Sequence, residues 1–301
     1  MCGTCGCSEG SGARIWRSDQ PHDDHHHHGD HDHGGDHNHG GEHDHPHEHD
    51  HGEHHHGDQP PAQDGRVVRI EHDVLAKNNA LAERNRRELA DRGIVAVNVM
   101  SSPGAGKTTL LERTIRALAG QLPLAVVEGD QETRLDAERI RATGAPVVQI
   151  NTGAGCHLDA ELLASGVRAL DPPEGALLFV ENVGNLVCPA LFDLGERHRV
   201  VVTSVTEGAD KPLKYPHMFA GADLVLLNKI DLLPHVEFDV DAFLRDTRTA
   251  NPHVEVIALS ASTGDGLDIW YRWLRSTRTS AARSPGRAHP VGSLTGEVNT
   301  G

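Results

Sequence analysis

Seven short apolar runs punctuate the chain from residue 94 onwards, at 94–100, 124–127, 147–150, 176–180, 200–205, 224–227 and 254–259. The first is rich in β-branched side chains, and helical stretches separate most of the others without tight hairpin signals. Strands that alternate with helices in this way predict an α/β domain, with a mostly parallel sheet covered by helices on both faces. Ahead of the first run, Asp73 can cap a helix reaching Asp91, with Leu75, Leu81 and Leu89 on its inner side and Gly93 ending it. Ordered structure is therefore expected from about Arg66. A second helix is predicted over 110–118. No apolar run approaches the roughly 18 residues that a membrane-spanning helix needs, so no membrane role is expected.

The rest of the chain reads differently. Between His22 and His56 lie 17 His and ten Asp or Glu, padded with glycine and without an apolar position. Such a segment cannot form a core, and residues 22–56 are expected to be disordered. Its imidazoles, with reference pKa values of about 6.5, are mostly neutral at pH 7 and open to nickel, zinc or copper. A solvated acidic spacer is the other reading. From Arg278 onwards Ser, Gly, Pro and Thr dominate without periodicity, which predicts a disordered tail over 278–301. One folded domain, 66–277, remains between these segments.

Charge follows the same division. Residues 1–65 hold 14 Asp or Glu against two Arg, so about twelve of the sixteen net negative charges sit there. The remainder is close to balance and carries no basic excess, so no nucleic-acid partner is expected. Five cysteines, three of them crowded into Cys2, Cys5 and Cys7, do not make a disulfide framework. Reduced thiols and the lack of a secretion signal predict a cytoplasmic protein.

Between the first strand and the second helix runs Ser-Ser-Pro-Gly-Ala-Gly-Lys-Thr-Thr, residues 101–109. That context suits a phosphate-binding loop. Gly104, Ala105 and Gly106 let backbone N–H groups close on a phosphate at a helix N-terminus. Lys107 neutralises its oxygens, Thr108 can hold Mg2+ and Thr109 follows. Ser101 stands where the usual pattern has its first glycine. Further along, Asn228-Lys229-Ile230-Asp231 ends an apolar run, where the Asp231 carboxylate can accept both donors on the edge of guanine. Ser260-Ala261, after the last run, is placed to approach guanine O6. Together the three segments predict GTP and GDP as ligands. Asp130 and Glu181 close two other runs, where ligands gather in such sheets. They are candidates for holding Mg2+ and, with Gly184, for sensing the γ-phosphate, or else ordinary loop charges. No side chain is an obvious base for water attack. Catalysis is assigned to Lys107, Thr108, Asp130 and Glu181, with slow intrinsic turnover.

Two further groups bear soft ligands. Cys2, Cys5 and Cys7 place three thiolates within reach of one ion and select zinc, copper(I) or nickel over magnesium. Cys156-His157 sits near a predicted helix start, and Cys188 follows Glu181 by seven residues. If these three converge, they supply three ligands and an open position, which suits transfer or sharing across a two-fold axis. Buried structural cysteines beside a surface histidine are the other reading.

Several motifs together resemble the hydrogenase nickel-incorporation GTPases of the HypB family: the opening Met-Cys-Gly-Thr-Cys-Gly-Cys, the His-rich tract, the glycine loop, Glu-Gly-Asp, Gly-Cys-His-Leu-Asp, Glu-Asn-Val-Gly-Asn-Leu-Val-Cys-Pro, Thr-Glu-Gly-Ala-Asp-Lys-Pro-Leu-Lys-Tyr-Pro and Asn-Lys-Ile-Asp. The resemblance runs from Met1 to about Arg275. It implies a P-loop NTPase fold with a SIMIBI-like G domain, in which a loop beginning with Ser101 is no departure. It also implies a tight nickel site at Cys2, Cys5 and Cys7, and a weaker Ni2+ or Zn2+ site at Cys156, His157 and Cys188 on a GTP-dependent homodimer interface. The implied role is GTP-regulated nickel delivery into the NiFe-hydrogenase large subunit precursor, with the metallochaperone HypA as partner. A urease-type nickel-insertion GTPase and a non-enzymatic nickel or zinc store are the competing readings. The first has a Cys-Pro-His metal motif where this chain has Cys156-His157. The second leaves the guanine motifs without purpose.

Overall fold

The computed structural model of the chain describes residues 14–17, 64–130, 135–153 and 155–281. Strand β1 (Arg14–Arg17) and helix α1 (Asp64–Asp91) lead into β2 (Val95–Ser101), α2 (Lys107–Leu118), β3 (Leu124–Asp130), α3 (Leu135–Arg141) and β4 (Val147–Asn151). Next come α4 (Ala160–Leu170), β5 (Leu177–Glu181), α5 (Cys188–Leu191), β6 (His198–Ser204), α6 (Lys211–Lys214) and α7 (Pro216–Ala220). The series closes with β7 (Leu224–Asn228), a 3-10 turn over Ile230–His235, α8 (Val240–Ala250), β8 (Glu255–Ala258) and α9 (Leu267–Ala281).

The strands form one sheet in the order β1-β4-β3-β5-β2-β6-β7-β8. Strands β2 to β8 are parallel, as their apolar, two-sided burial requires. Alternation sorts their side chains to two faces. Val95, Val97 and Val99 pack with Leu110, Leu111, Ile115 and Trp270 beneath α2 and α9, whereas Ala96 joins Val127, Ile150 and Leu163 on the side of α1 and α4. Beyond β6, Val201, Val225, Phe219 and Phe243 form a third cluster under α7 and α8. Each fully buried Leu or Phe contributes about 1.5–3 kcal/mol, so these clusters fix the sheet that carries the loops.

All seven expected runs lie in strands, with bounds shifted by up to three residues. The largest shift adds Glu128, Gly129 and Asp130 to β3, polar positions that hydrophobic periodicity does not register. Four other expectations need correction. Helix α1 starts at Asp64, so Asp73 lies within it and does not cap it. Strand β1, unexpected in the polar head, pairs antiparallel with β4 from Arg14↔Asn151 to Arg17↔Val148. At the other end, α9 continues to Ala281, past the tail boundary set at Arg278, and the Arg278 guanidinium donates to the Gly175 carbonyl at 2.7 Å. In α1, Leu89 is buried but Leu75 and Leu81 are only half-buried. The helix docks instead through Asn78, Ala82, Asn85, Arg86 and Leu89. Its inner face meets backbone ends, namely the start of α4 and the turn at 193–195, and amides serve those better than leucines do. Asn78 accepts from Ala160 N (2.9 Å) and donates to Asp193 O (2.7 Å), while Asn85 donates to Ala160 O at 2.7 Å.

Among the described residues no helix is long and apolar enough to cross a membrane. Cys2, Cys5, Cys7, the tract at 22–56 and the tail beyond 281 lie outside the described residues.

Candidate nucleotide and metal sites

At the C-terminal end of β2 the chain turns through Ser102–Gly106 into α2. Gly104 (φ 76°) and Gly106 (φ 98°) both adopt left-handed backbone, the conformation glycine takes without steric cost. Asn228, at the end of β7, closes on this loop. Its side-chain amide donates to Ala105 O at 2.8 Å, and its oxygen accepts from Ala261 N at 2.9 Å. A Cβ on Gly106 would lie 2.5 Å from that amide nitrogen, so the approach itself demands glycine. Lys229, also left-handed at φ 63°, donates from Nζ to Gly104 O at 2.7 Å. Ser102 donates to Glu207, which carries the loop's contact to the segment after β6. A pocket of about 350 Å3 opens over this frame, lined by the loop, Lys107, Thr108, Thr109, Asp136, Arg139 and Lys229.

The guanine motif stands beside it. Asp231 lies in the first turn of the 3-10 segment, and its Oδ1 is buried without a hydrogen-bond partner. A carboxylate oxygen left in that condition is costly unless a ligand supplies a donor. Ser260 accepts from Ser262 N and Thr263 N through its hydroxyl, and Ala261 N is engaged by Asn228, so this segment braces the loop bearing Asn228.

Behind the glycine loop lies an acidic cluster. Glu181, 2% exposed, accepts from Thr108 Oγ1 at 2.6 Å and lies 3.7 Å from Lys107 Nζ. Burial raises its pKa above the usual carboxylate range, and Lys107 and the Thr108 hydroxyl partly offset this. Glu128 is its neighbour across the β3–β5 register. Burial, with the charge of Glu181 adding to it, pushes Glu128 up to about 9. Both carboxylates keep one buried oxygen without a hydrogen-bond partner. With Asp130 at the end of the same strand, hard oxygen donors of this kind fit a divalent cation such as Mg2+.

The soft ligands meet at the same edge of the sheet. Ligand atoms of Cys156, His157 and Cys188 all lie within 4.8 Å of one another, and Cys156 Sγ is 3.6 Å from His157 Nδ1. Neither cysteine is in a disulfide. The His157 ring stacks on Phe192 at 3.9 Å, and burial pushes its pKa down, partly countered by Asp159. The cysteine loop is tied to β3, since Thr152 N donates to Asp130 O at 2.9 Å and Thr152 Oγ1 donates to Gly155 O at 2.8 Å. Cys188 opens α5 after the segment containing Gly184. A Cβ on Gly184 would lie 3.3 Å from the backbone of Pro103.

Thus the described candidates gather along one sheet edge. Sequence reasoning gave no role to Glu128, Asp136, Arg139, Asn182 and Phe192. Glu128 was visible as the residue two before Asp130, on the same face of β3. The others signal nothing by type alone, because their parts depend on contacts between distant segments.

Known proteins of one family resemble the chain. The family model described as "CobW/HypB/UreG, nucleotide-binding domain" matches residues 95–258. A "Hydrogenase maturation factor HypB" from Escherichia coli (strain K12) is 56% identical over 219 residues, covering 73% of this chain and 76% of that protein. Its namesake from Azotobacter vinelandii is 50% identical over 291 residues, covering 94% and 95%. Among solved structures, HypB from Helicobacter pylori in complex with nickel is 34% identical, with a TM-score of 0.65 over 71% of this chain and 99% of that one.

Proposed function

This chain belongs to the CobW/HypB/UreG nucleotide-binding family and, within it, to the HypB hydrogenase maturation GTPases, and from that membership we propose that it is a nickel courier whose metal cluster answers to the nucleotide. The observation that carries the reading is the meeting of Cys156, His157 and Cys188 on loops anchored at Asp130 and running on from Glu181.

In this reading the Gly104–Gly106 backbone and Lys107 grip the phosphates of GTP, and Asp231 selects guanine. Thr108 and Asp130 would hold Mg2+, which would neutralise charge on the phosphates when bound. Lys107 adds its own positive charge, and Glu181 with Gly184 registers the terminal phosphate. Preorganised charge, without a general base, leaves turnover slow. Nickel is the cargo. Two thiolates and an imidazole bind Ni2+ or Zn2+ and leave a fourth position for ligand exchange, or for a ligand from a second copy in a GTP-dependent homodimer. Cys2, Cys5 and Cys7 form a second thiolate site, and the His-rich tract stores metal. The NiFe-hydrogenase large subunit precursor receives the nickel in the cytoplasm, with HypA as fellow carrier.

Nickel titration of the full chain beside a Cys156→Ala, Cys188→Ala double variant tests this, with GDP and a slowly hydrolysed GTP analogue and with particle mass followed by light scattering. The variant is expected to bind one nickel fewer and to lose the nucleotide dependence of dimer formation. Equal stoichiometry in the two proteins overturns the courier reading.

A further inference from the structure

Asn182 lies between the two sites, and neither phosphate binding nor metal ligation accounts for it. It is 1% exposed at the end of β5, directly after Glu181. One oxygen, Asn182 Oδ1, accepts two backbone N–H groups from different segments: Val183 N at 2.9 Å and Leu158 N at 3.2 Å. Val183 begins the segment that passes Gly184 and Pro103 and ends at Cys188. Leu158 adjoins His157.

The other end of the amide continues the link. Asn182 Nδ2 donates to Asn98 Oδ1 (3.4 Å), and Asn98 Nδ2 donates to Glu196 Oε1 (3.3 Å), which also accepts from Arg199 Nε at 2.6 Å. Arg199 then donates to Ala190 O at 3.4 Å and to Phe192 O at 3.3 Å. Ala190 is two residues past Cys188, and the Phe192 ring carries His157. The chain of buried polar groups therefore links the His157 segment at one end to α5 and Phe192 at the other. Asn98, Asn182, Glu196 and Arg199 are all at most 1% exposed. Burying four such groups is unfavourable unless each is satisfied, and they satisfy one another.

Resting on the metal and nucleotide assignments above, we infer that Asn182 is the positioning residue through which the phosphate end of the nucleotide site and the Cys156–His157–Cys188 cluster sense each other. A displacement of Glu181 or Gly184 moves the Asn182 carboxamide. The carboxamide in turn moves Leu158 and, through Asn98, Glu196 and Arg199, the start of α5. Distances among the three metal ligands then change together. Without the shared acceptor the two segments move independently, and the ligands hold metal with a geometry blind to the nucleotide.

The test uses the full chain carrying C2S, C5S and C7S, so that nickel–thiolate absorption reports on Cys156 and Cys188. Its readout is the ratio of nickel affinities with GDP and with a slowly hydrolysed GTP analogue. In this parent the ratio is expected to differ from one by about fivefold or more, the usual range of coupling between sites. Asn182→Ala is expected to bring it within about twofold of one and to shift the thiolate absorption band. Simple loosening of the fold would weaken both affinities alike and leave the ratio unchanged. Asn98→Ala reaches the same joint from behind and is expected to reduce the ratio part-way; it carries the test if Asn182→Ala does not fold. A coupled parent whose ratio is unchanged in soluble Asn182→Ala, or in Asn98→Ala where Asn182→Ala does not fold, overturns the role of Asn182 alone. A parent with no thiolate band, or with a ratio of one, overturns the coupled-site reading and this inference with it.

Discussion

The side chain of Asn228 holds the carbonyl of Ala105, 123 positions earlier, at 2.8 Å, and with its other atom holds the N–H of Ala261 at 2.9 Å. The asparagine of the Asn-Lys-Ile-Asp segment thus braces the glycine loop and ties the two motifs together. Asn228→Ala leaves a buried carbonyl and a buried N–H unpaired. Each such loss costs about 1–3 kcal/mol. Urea denaturation of the nucleotide-free protein should show a lower midpoint with an unchanged slope, and GTP affinity should fall in the same variant. An unaltered midpoint would show that the brace contributes no stability.

Asp231 presents a buried Oδ1 without a hydrogen-bond partner beside that brace. Asp231→Asn replaces an acceptor with a group that can donate, which suits the carbonyl that xanthine carries in place of the guanine amine. Competition binding with GTP and XTP should show preference moving toward XTP by tenfold or more, the effect of about 1.4 kcal/mol. Unchanged GTP selectivity would remove the guanine assignment.

Far from the ligand edge, Arg86 of α1 donates to both oxygens of Asp193 at 2.8 and 2.7 Å, with both side chains almost wholly buried. Such a pair adds little net stability over an apolar replacement, but removing Asp193 leaves the buried Arg86 with only the half-exposed Glu83 carboxylate, 2.7 Å away, and takes the acceptor from Gly195 N. Because Glu83 still pairs with Arg86, Asp193→Ala is expected to cost about 2–3 kcal/mol, below the full cost of an unpaired buried charge. Replacing both residues with apolar side chains should recover much of it, a pattern that a double-mutant cycle in denaturant will show or refute.

The His-rich tract is expected to change capacity and not chemistry. Removing residues 22–56 should lower the number of nickel ions bound per chain while sparing GTP turnover. An unchanged metal count would establish the tract as a spacer.

How far the sequence announced all this depends on the kind of physics involved. The glycine loop and the convergence of Cys156, His157 and Cys188 were legible because positive-φ backbone and soft-metal ligation each restrict the usable residue types. The parallel sheet was legible in its buried runs. The docking face of α1 was not, because Asn78, Asn85 and Arg86 read as solvent-facing until the backbone ends they satisfy are in place. Strand β1 is four residues in a polar head, too short for a period. Asn182 and Phe192 acquire their parts only from neighbours distant in sequence.

Two glycines of the phosphate loop separate backbone strain from crowding. Gly104 and Gly106 both have positive φ, so alanine at either meets the left-handed penalty of about 1–2 kcal/mol. At Gly104 the added Cβ meets nothing within 4 Å. At Gly106 it falls 2.5 Å from the Asn228 amide, which must move and release Ala105 O. Gly106→Ala should therefore destabilise the nucleotide-free protein by the backbone term plus most of what Asn228→Ala costs, whereas Gly104→Ala should show the backbone term alone. Combining Gly106→Ala with Asn228→Ala should then cost little more than Gly106→Ala by itself, since the brace is already lost. Full additivity of the two changes in denaturant unfolding would mean that Gly106 is required for some reason other than the approach of Asn228.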